Sequence, residues 1–480
     1  MPKVLRTPEL ALSSRPPGVT LTRWLYDEIR NAILDGRLNR GTRLPATRDF
    51  SLQYSVSRRV VVNVFEQLQA EGYLVSRVGS GTCVSDQLPE DLLEASRVSS
   101  EIVRPRASPR VLSEWVRPAR PFRPIEPALS NFPADVWARV AARRLRRVSP
   151  SLLAGGAVQG YAPLREAIAD YLGASRGVDC SADDVVVVSG IQQALDLVAR
   201  FLIKNSEPVW VEDPGYVGAV SAFKNAGARV IPIPVDADGI DPTKGERACS
   251  APRAIYVTPA HQFPLGVTMS LERRLHLLSF ARRCGAFVIE DDYDSEFRFS
   301  GRPVPALRSL DKTGRVILAG SFNKVLFPSL RLGYVVLPST LIDGFLSFRF
   351  QVDAYPPALS QAVLCDFIAE GHFGRHLRRM RELYASRLSA LRESAVRYLS
   401  HSVELPDIQA GLNTPAYLKN GMSSRDASAR AASAGVEVMS LDRFTLRRRD
   451  PGGFLLGFAA FEESEIRRGV LTLARALDTK

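Results

Sequence analysis

Apolar positions along this 480-residue chain follow two different periods. In the first stretch they recur at helical spacing: Leu21, Trp24, Leu25, Ile29, Ala32 and Ile33 predict a helix that Gly36 stops. Leu44-Pro45-Ala46-Thr47 opens a short second helix through Arg48 and Leu52, and a turn follows from Tyr54 to Val56. Ser57 is placed to cap a third helix, SRRVVVNVFEQLQAEG, whose packing face is Val60, Val64, Phe65 and Leu68. Two short strand-like pieces, GYLVSR and GTCVSD, are joined by Val78-Gly79-Ser80-Gly81, which suits a tight wing.

From about Gln87 to Pro127 the periodicity fades into a Pro-, Arg- and Ser-rich stretch that reads as a linker. Beyond it, apolar runs alternate with helical ones: DVVVVS, PVWVED, ARVIPIPV, RAIYVTP, AFVIED, RVILAGS and LGYVVLP are the strand candidates. Alternation of this kind predicts an open α/β sheet with helices on both faces and a ligand beyond the strand ends. After Leu341 the pattern is helical to Arg397 and then mixed, predicting a smaller α+β domain. The expected organisation is a tail (1–18), a helix-turn-helix reader (19–86), a linker (87–127), a large domain (128–340) and a small domain (341–480).

Composition narrows the function classes. A formal net charge of +12 is consistent with a nucleic-acid partner. Five scattered cysteines, an odd number without paired-ligand spacing, predict neither a disulfide framework nor a metal site. The first residues, MPKVLRTPEL, lack a signal-peptide core, and no apolar run reaches the roughly eighteen residues that a membrane span needs. A cytoplasmic protein with no membrane partner is expected.

The third helix begins with Arg58 and Arg59, placed to meet the major groove and phosphates, and the wing glycines Gly79 and Gly81 would let backbone amides approach a phosphate. Any one of these arginines is equally explained as a solvated charge. The ordered set LPATRDF, SRRVVVNVFEQLQAEGYL and GSGTCV resembles the GntR-type winged helix-turn-helix. That resemblance implies DNA contacts at Arg48, Ser57, Arg58 and Gly81, with Arg59 a neighbour, and operator DNA as a partner. Two further basic clusters, Arg139 to Arg147 and Arg447 to Arg449, are candidates for added DNA attraction or for plain solvated faces.

A second chemistry is suggested farther along. Lys324, in GSFNKVLFPSLRLGY, can form a Schiff base with an aldehyde cofactor, and Asp291, in EDDY, can hold the proton of a pyridine nitrogen. Tyr293 can bond a cofactor phenolic oxygen, Ser321 and Arg331 a phosphate, and Tyr216 can stack on a ring. Amides of Gly190, Ile191 and Gln192 would lie at a helix N-terminus suited to phosphate. His261 could be offered as a proton shuttle, although a Schiff-base lysine already does that work.

These motifs follow the order of fold-type I aminotransferases. SGIQQALDLVARFL, VEDPGYVGAVSAF, TPAHQFPLGVTMSLERRLHLL, IEDDYDSEFRF and GSFNKVLFPSLRLGY closely resemble MocR/GabR-type transcription regulators. The resemblance implies a winged helix-turn-helix joined to a pyridoxal 5'-phosphate (PLP)-dependent transferase fold with a small C-terminal domain. It also implies PLP on Lys324, a head-to-tail homodimer, and an effector that is a small amine, an amino acid or PLP itself. An aminotransferase with an accessory DNA-binding domain is the alternative.

The chain departs from the family pattern at several points. Asn323 stands where serine is usual before the lysine, and Ile191 where serine or threonine is usual. Phe263 replaces the asparagine of true aminotransferases, no tyrosine occurs near Gly155, and Leu455 occupies the place of the arginine that grips a substrate α-carboxylate. Leucine cannot form that bidentate pair. Phe263 and Leu455 favour sensing over turnover, whereas Asn323, Ile191 and the missing tyrosine bear on how the cofactor and its phosphate are held.

Overall fold

The computed structural model describes residues 10–77, 81–89, 120–299, 304–419, 421–447 and 452–478. The chain divides into two compact units at Val116. Most of the expected linker and Gly79 of the wing lie outside the described residues.

The first unit contains α1 (Leu21–Leu34), α2 (Thr47–Gln53), α3 (Arg58–Ala70), β1 (Leu74–Arg77) and β2 (Gly81–Val84), with β1 and β2 antiparallel. Thr20 caps α1 by accepting from the Arg23 amide, and Ser57 caps α3 by accepting from the Val60 amide. The buried face of α3 is Val61, Val64, Phe65 and Leu68, an i, i+3, i+4, i+7 stripe. Val60, expected inside, sits at its partly buried edge because Val61 takes the central position. Residues from Leu10, read as tail, are held too: the Tyr54 hydroxyl accepts from the Leu10 amide at 2.8 Å.

All seven expected strands of the second unit are present, with one short addition. β3 (Val185–Val188), β4 (Pro208–Asp213), β5 (Arg229–Asp236), β6 (Gly239–Ile240), β7 (Ala254–Val257), β8 (Phe287–Asp292), β9 (Val316–Ser321) and β10 (Gly333–Val336) form one sheet in the order β3-β10-β9-β8-β7-β4-β5-β6. β4, β5, β7, β8 and β9 are parallel neighbours, while β10 is antiparallel to both β3 and β9. Only one 3-10 turn, Pro328–Leu330, lies between β9 and β10, so that return is a loop rather than a helical crossover, and an antiparallel pair results. This loop carries Lys324.

Helices α4 (Ala134–Arg146), α5 (Ala162–Arg176), α6 (Ile191–Leu202), α7 (Val217–Asn225) and α8 (Leu271–Cys284) cover the sheet, and α9 (Ser339–Val352), α10 (Ala358–Ala369) and α11 (His372–Tyr398) follow it. The small domain adds the antiparallel sheet β11 (Val403–Glu404), β12 (Asn413–Leu418), β14 (Gly453–Gly457), β13 (Met439–Ser440), with α12 (Ser424–Ser433) and α13 (Glu463–Asp478). Residues 120–127, read as the end of the linker, belong to this unit: Phe122 is fully buried and bridges Gly457, and the Ile125 amide donates to Asn413 Oδ1. Among the described residues no helix is long and apolar enough to cross a membrane.

Candidate functional site

In β8 the period of two decides which carboxylate faces the site. Phe287 and Ile289 join the core on one face and Val288 joins that on the other, so Asp291 continues the first face while Glu290 and Asp292 continue the second. Glu290 accepts from the Leu307 and Arg308 amides at 2.7 and 2.8 Å, and Asp292 pairs with Arg176 at 2.9 Å. On the first face, Tyr256 donates its hydroxyl to Asp291 Oδ2 at 2.6 Å; buried Asp291 Oδ1, like Asp292 Oδ1 on the other face, has no hydrogen-bond partner. Burial pushes the Asp291 carboxyl up to about 8, against the lowering pull of Tyr256.

Lys324 follows the C-terminal end of β9, on the same edge of the sheet. Its Nζ donates to the Ile125 carbonyl at 2.8 Å. Burial lowers the ammonium to about 8, while Glu126 and Asp294 oppose that shift. Ile125 has φ +71, a left-handed conformation rare for a β-branched residue. Neither Ile125 nor Tyr256 was visible as a site residue in the sequence. Ile125 lay in an aperiodic Pro-rich stretch, and Tyr256 looked like one apolar strand position among several.

The other candidates converge on this edge. A Cβ on Gly190 would stand 2.7 Å from Asn323 Nδ2 and 3.9 Å from Arg331 Nη1, and Gly190 has φ +112, so both space and backbone require glycine. Gly190, Asn323 and Arg331 thus meet at the N-terminus of α6, where the first amides lack intrahelical partners. Ser321 Oγ accepts from the Asn323 amide at 3.2 Å, and Asn323 Oδ1 accepts from the Leu332 amide at 3.3 Å. Asn323 therefore braces the loop. Tyr216 donates to Gln192 Oε1 at 3.1 Å; burial first, then the Asp291 charge, push its hydroxyl to about 12, while Arg331 lowers it. Ile191 is partly buried against the core under α6.

Tyr293 lies 3.1 Å from His261 Nδ1, which is itself 3.0 Å from both oxygens of fully buried Asp294. Burial and the nearby Asp294 and Asp291 raise the Tyr293 hydroxyl well above its ordinary value. His261 Nε2 is buried without a partner. His261 is thus a neighbour of the site through Tyr293, a role its sequence position did not reveal.

Leu455, only 1% exposed, packs with Phe263, Leu441 and Phe444 in a cluster that touches Ile125, Tyr216 and Tyr293. The Phe263 and Phe444 rings meet edge to face at 4.9 Å.

In the first unit Arg48, Arg58 and Arg59 are exposed. Two cations in the first turn of α3 oppose the helix dipole, so nothing in helix stability accounts for them. Ser57 uses its hydroxyl in the cap. Gly81 has φ +78, and a Cβ there would lie 3.2 Å from Arg43 Nε, a further arginine beside the wing that the sequence did not single out. In the first of the two basic clusters, Arg143 pairs with Glu370 and Arg144 with Asp366, which ties both to α10 and the residue after it. Arg447 lies beside a carboxylate, its amide donating to Asp213 at 3.3 Å; Arg448 and Arg449 lie outside the described residues.

Comparison with known proteins matches residues 128–405 to the family of aminotransferases class I and II, and residues 21–84 to the gntR family of bacterial regulatory proteins. The probable rhizopine catabolism regulatory protein MocR of Rhizobium meliloti is 41% identical over 96% of this chain and 94% of its own. The chain belongs to the MocR-type transcriptional regulators. The pyridoxine biosynthesis regulator PdxR of Corynebacterium glutamicum, 29% identical, is likewise matched over 95% of this chain and 96% of its own. Among solved structures, α-aminoadipate aminotransferase LysN of Thermus thermophilus, complexed with N-(5'-phosphopyridoxyl)-L-leucine, superposes with a TM-score of 0.69 at 30% identity. That match covers 74% of this chain and 91% of LysN. Pyrococcus horikoshii kynurenine aminotransferase gives 0.72 at 28%, covering 81% and 98%. The MocR-type chain joins a GntR-type reader to an aminotransferase-type domain. The chemistry of its donor set fits PLP: buried Asp291 Oδ1 has no partner, and Arg331 stands beside Gly190 at a helix N-terminus.

Proposed function

We propose that this regulator binds operator DNA through α3 and the wing, holds PLP on Lys324, and couples occupancy of that site by a small effector to DNA affinity. The observation that carries the cofactor half is the unpartnered, buried Asp291 Oδ1 on the sheet edge that also bears a lowered Lys324. A protonated pyridine nitrogen satisfies that oxygen and stabilises the charged carboxylate. Gly190, Ile191, Gln192, Ser321 and Arg331 would hold the phosphate, Tyr216 would cover one ring face, and Tyr293 would bond the phenolic oxygen. When bound, PLP supplies an electrophilic carbonyl and an electron sink. Lys324, its ammonium lowered to about 8 by burial, would lose its proton to solvent and act as nucleophile, while the Ile125 carbonyl only accepts its hydrogen bond.

Support for the DNA half is the exposed Arg48, Arg58 and Arg59 on a correctly formed helix-turn-helix, with Arg43 and Gly81 at the wing. A homodimer in the cytoplasm is part of the reading. Exposed Tyr355 covers Gly155 and Gly156 beside Arg147 and Ser151, a mixed face available to a second copy. Head-to-tail pairing follows from the family resemblance.

The alternative of a working aminotransferase is favoured by the presence of lysine, aspartate and tyrosine together. Leu455 argues against it. The separating experiment is an assay for steady amino transfer from amino acids to keto acids. We expect no sustained turnover, with borohydride-reducible visible absorbance in the wild type and none in Lys324→Ala. Multiple turnovers would overturn the sensing role.

A further inference from the structure

The small-domain wall of the pocket identifies the chemistry of the effector more closely than the family does. Along β14, Phe454 and Leu456 point into the main core, so the period of two turns Leu455 to the opposite face. There it joins Phe263, Leu441 and Phe444, all buried, in the one cluster that also touches Tyr216, Tyr293 and Ile125. Tyr216 and Tyr293 each stand edge-on to Phe263 with centroids 6.0 Å apart. The wall is aromatic and aliphatic.

The charged residues of the turn between Leu441 and Phe444, Asp442 and Arg443, are exposed to solvent, and the charges acting on Lys324 are those of Glu126 and Asp294. Arg123, in the strap of residues 120–127 that also holds Ile125, is already tied to Glu126 at 3.3 Å and Glu437 at 2.8 Å. Arg298 donates to Gln409 and Thr268 instead. Arg331 stands beside Gly190 at the N-terminus of α6, and of the residues touching this cluster its charge acts on Tyr216. A ligand carboxylate placed against Leu455 would be desolvated, unpaired and repelled, whereas an uncharged apolar group would gain by burial.

We infer that the effector is a primary amine with an apolar aliphatic or aryl body and no carboxylate. This rests on Lys324 anchoring PLP, where an incoming amine displaces the lysine nitrogen from the cofactor carbon: one C–N bond forms, one breaks, and the lysine leaves as the free amine.

The test uses the full-length PLP-loaded protein and matched pairs: 2-phenylethylamine against L-phenylalanine, and 3-methylbutylamine against L-leucine. Visible absorbance and calorimetry give the half-saturating concentrations. The amines should bind about ten- to a hundredfold more tightly than their amino-acid partners, the range set by one lost charge-assisted pair. Leu455→Arg should narrow or reverse that order. Equal or tighter binding of the amino acids to the wild type overturns the inference, and so does a failure of both classes to bind. Both of these outcomes are measured on the wild type, so neither depends on whether Leu455→Arg folds. A Lys324→Ala protein that keeps borohydride-reducible absorbance would instead sink the cofactor reading beneath it.

Discussion

The strand-end wall of the pocket, from Gly190 through Asp291 to Arg331, carries charges and open hydrogen-bonding positions, whereas the small-domain wall of Leu441, Phe444 and Leu455 carries neither. The first wall keeps what is needed to hold a charged cofactor and form a covalent link to it. By family resemblance, the second has apolar side chains in the place from which a transaminase would hold its substrate. On the proposed reading, capture and turnover are separable within one fold, the former serving a sensor without the latter. Fold alone does not distinguish the two.

Changes on the polar wall should have the largest effects. Lys324→Ala removes the nucleophile that anchors the cofactor, and borohydride-reducible absorbance should vanish while the far-ultraviolet dichroism of the chain persists. Retained absorbance would relocate the anchor. Asp291→Asn should weaken PLP binding at least roughly tenfold, the scale of one charge-assisted bond. The same change should stabilise the cofactor-free protein. Because burial raises Asp291 to about 8, the folded state holds its proton more tightly than the unfolded chain. Stability contributed by this group is full in acid and is lost as pH rises from the ordinary carboxylate value through about 8. Thermal melts of Asp291→Asn should therefore show a shallower decline across that window, with a gain on the order of 1 to 3 kcal/mol at its upper end. An unchanged pH slope would contradict the buried, unpartnered carboxylate.

Lys324 works in the reverse sense. Its folded value is lowered to about 8, so the penalty of burying its charge is full below that pH and is relieved as pH rises from about 8 towards the ordinary lysine value.

The reader offers an independent contrast, since its charges face solvent and serve a partner rather than a cofactor. Arg58→Ala should weaken operator binding by about 1 to 3 kcal/mol if it reads a base, measured by anisotropy at fixed salt. A loss equal on operator and random DNA would make Arg58 a phosphate contact. The smallest effect belongs to the strap. At an ordinary site glycine is less stable than alanine, but φ +71 at Ile125 should invert the order, making Ile125→Gly more stable than Ile125→Ala by about 1 kcal/mol in denaturant melts.

Much of the architecture was legible because the sheet strands are short apolar runs punctuated by helical spacing, and because Lys324, Asp291 and Tyr293 sit directly after such runs. The reader was legible from helical period and caps, except that Val61 rather than Val60 takes the centre of the face. What escaped had no local signature. Residues 120–127 are held by distant partners, Gly457 and Asn413, that no periodicity announces. Tyr256 is brought under Asp291 only by the parallel register of β7 and β8, in which it lies opposite Ile289. His261 reaches the site through a loop that returns to Tyr293 and Asp294. Arg143 and Arg144 looked like free surface charge until α10 supplied Asp366 and the residue after it Glu370 opposite them.

Occupancy at Lys324 is proposed to set DNA affinity, and one titration decides it. An operator fragment, selected from random DNA, is titrated with the wild type and with Lys324→Ala, each with and without PLP and 2-phenylethylamine. Ligand should shift operator affinity in the wild type and leave Lys324→Ala unmoved. An equal shift in both proteins, or no shift in either, would show that DNA binding does not depend on the pocket.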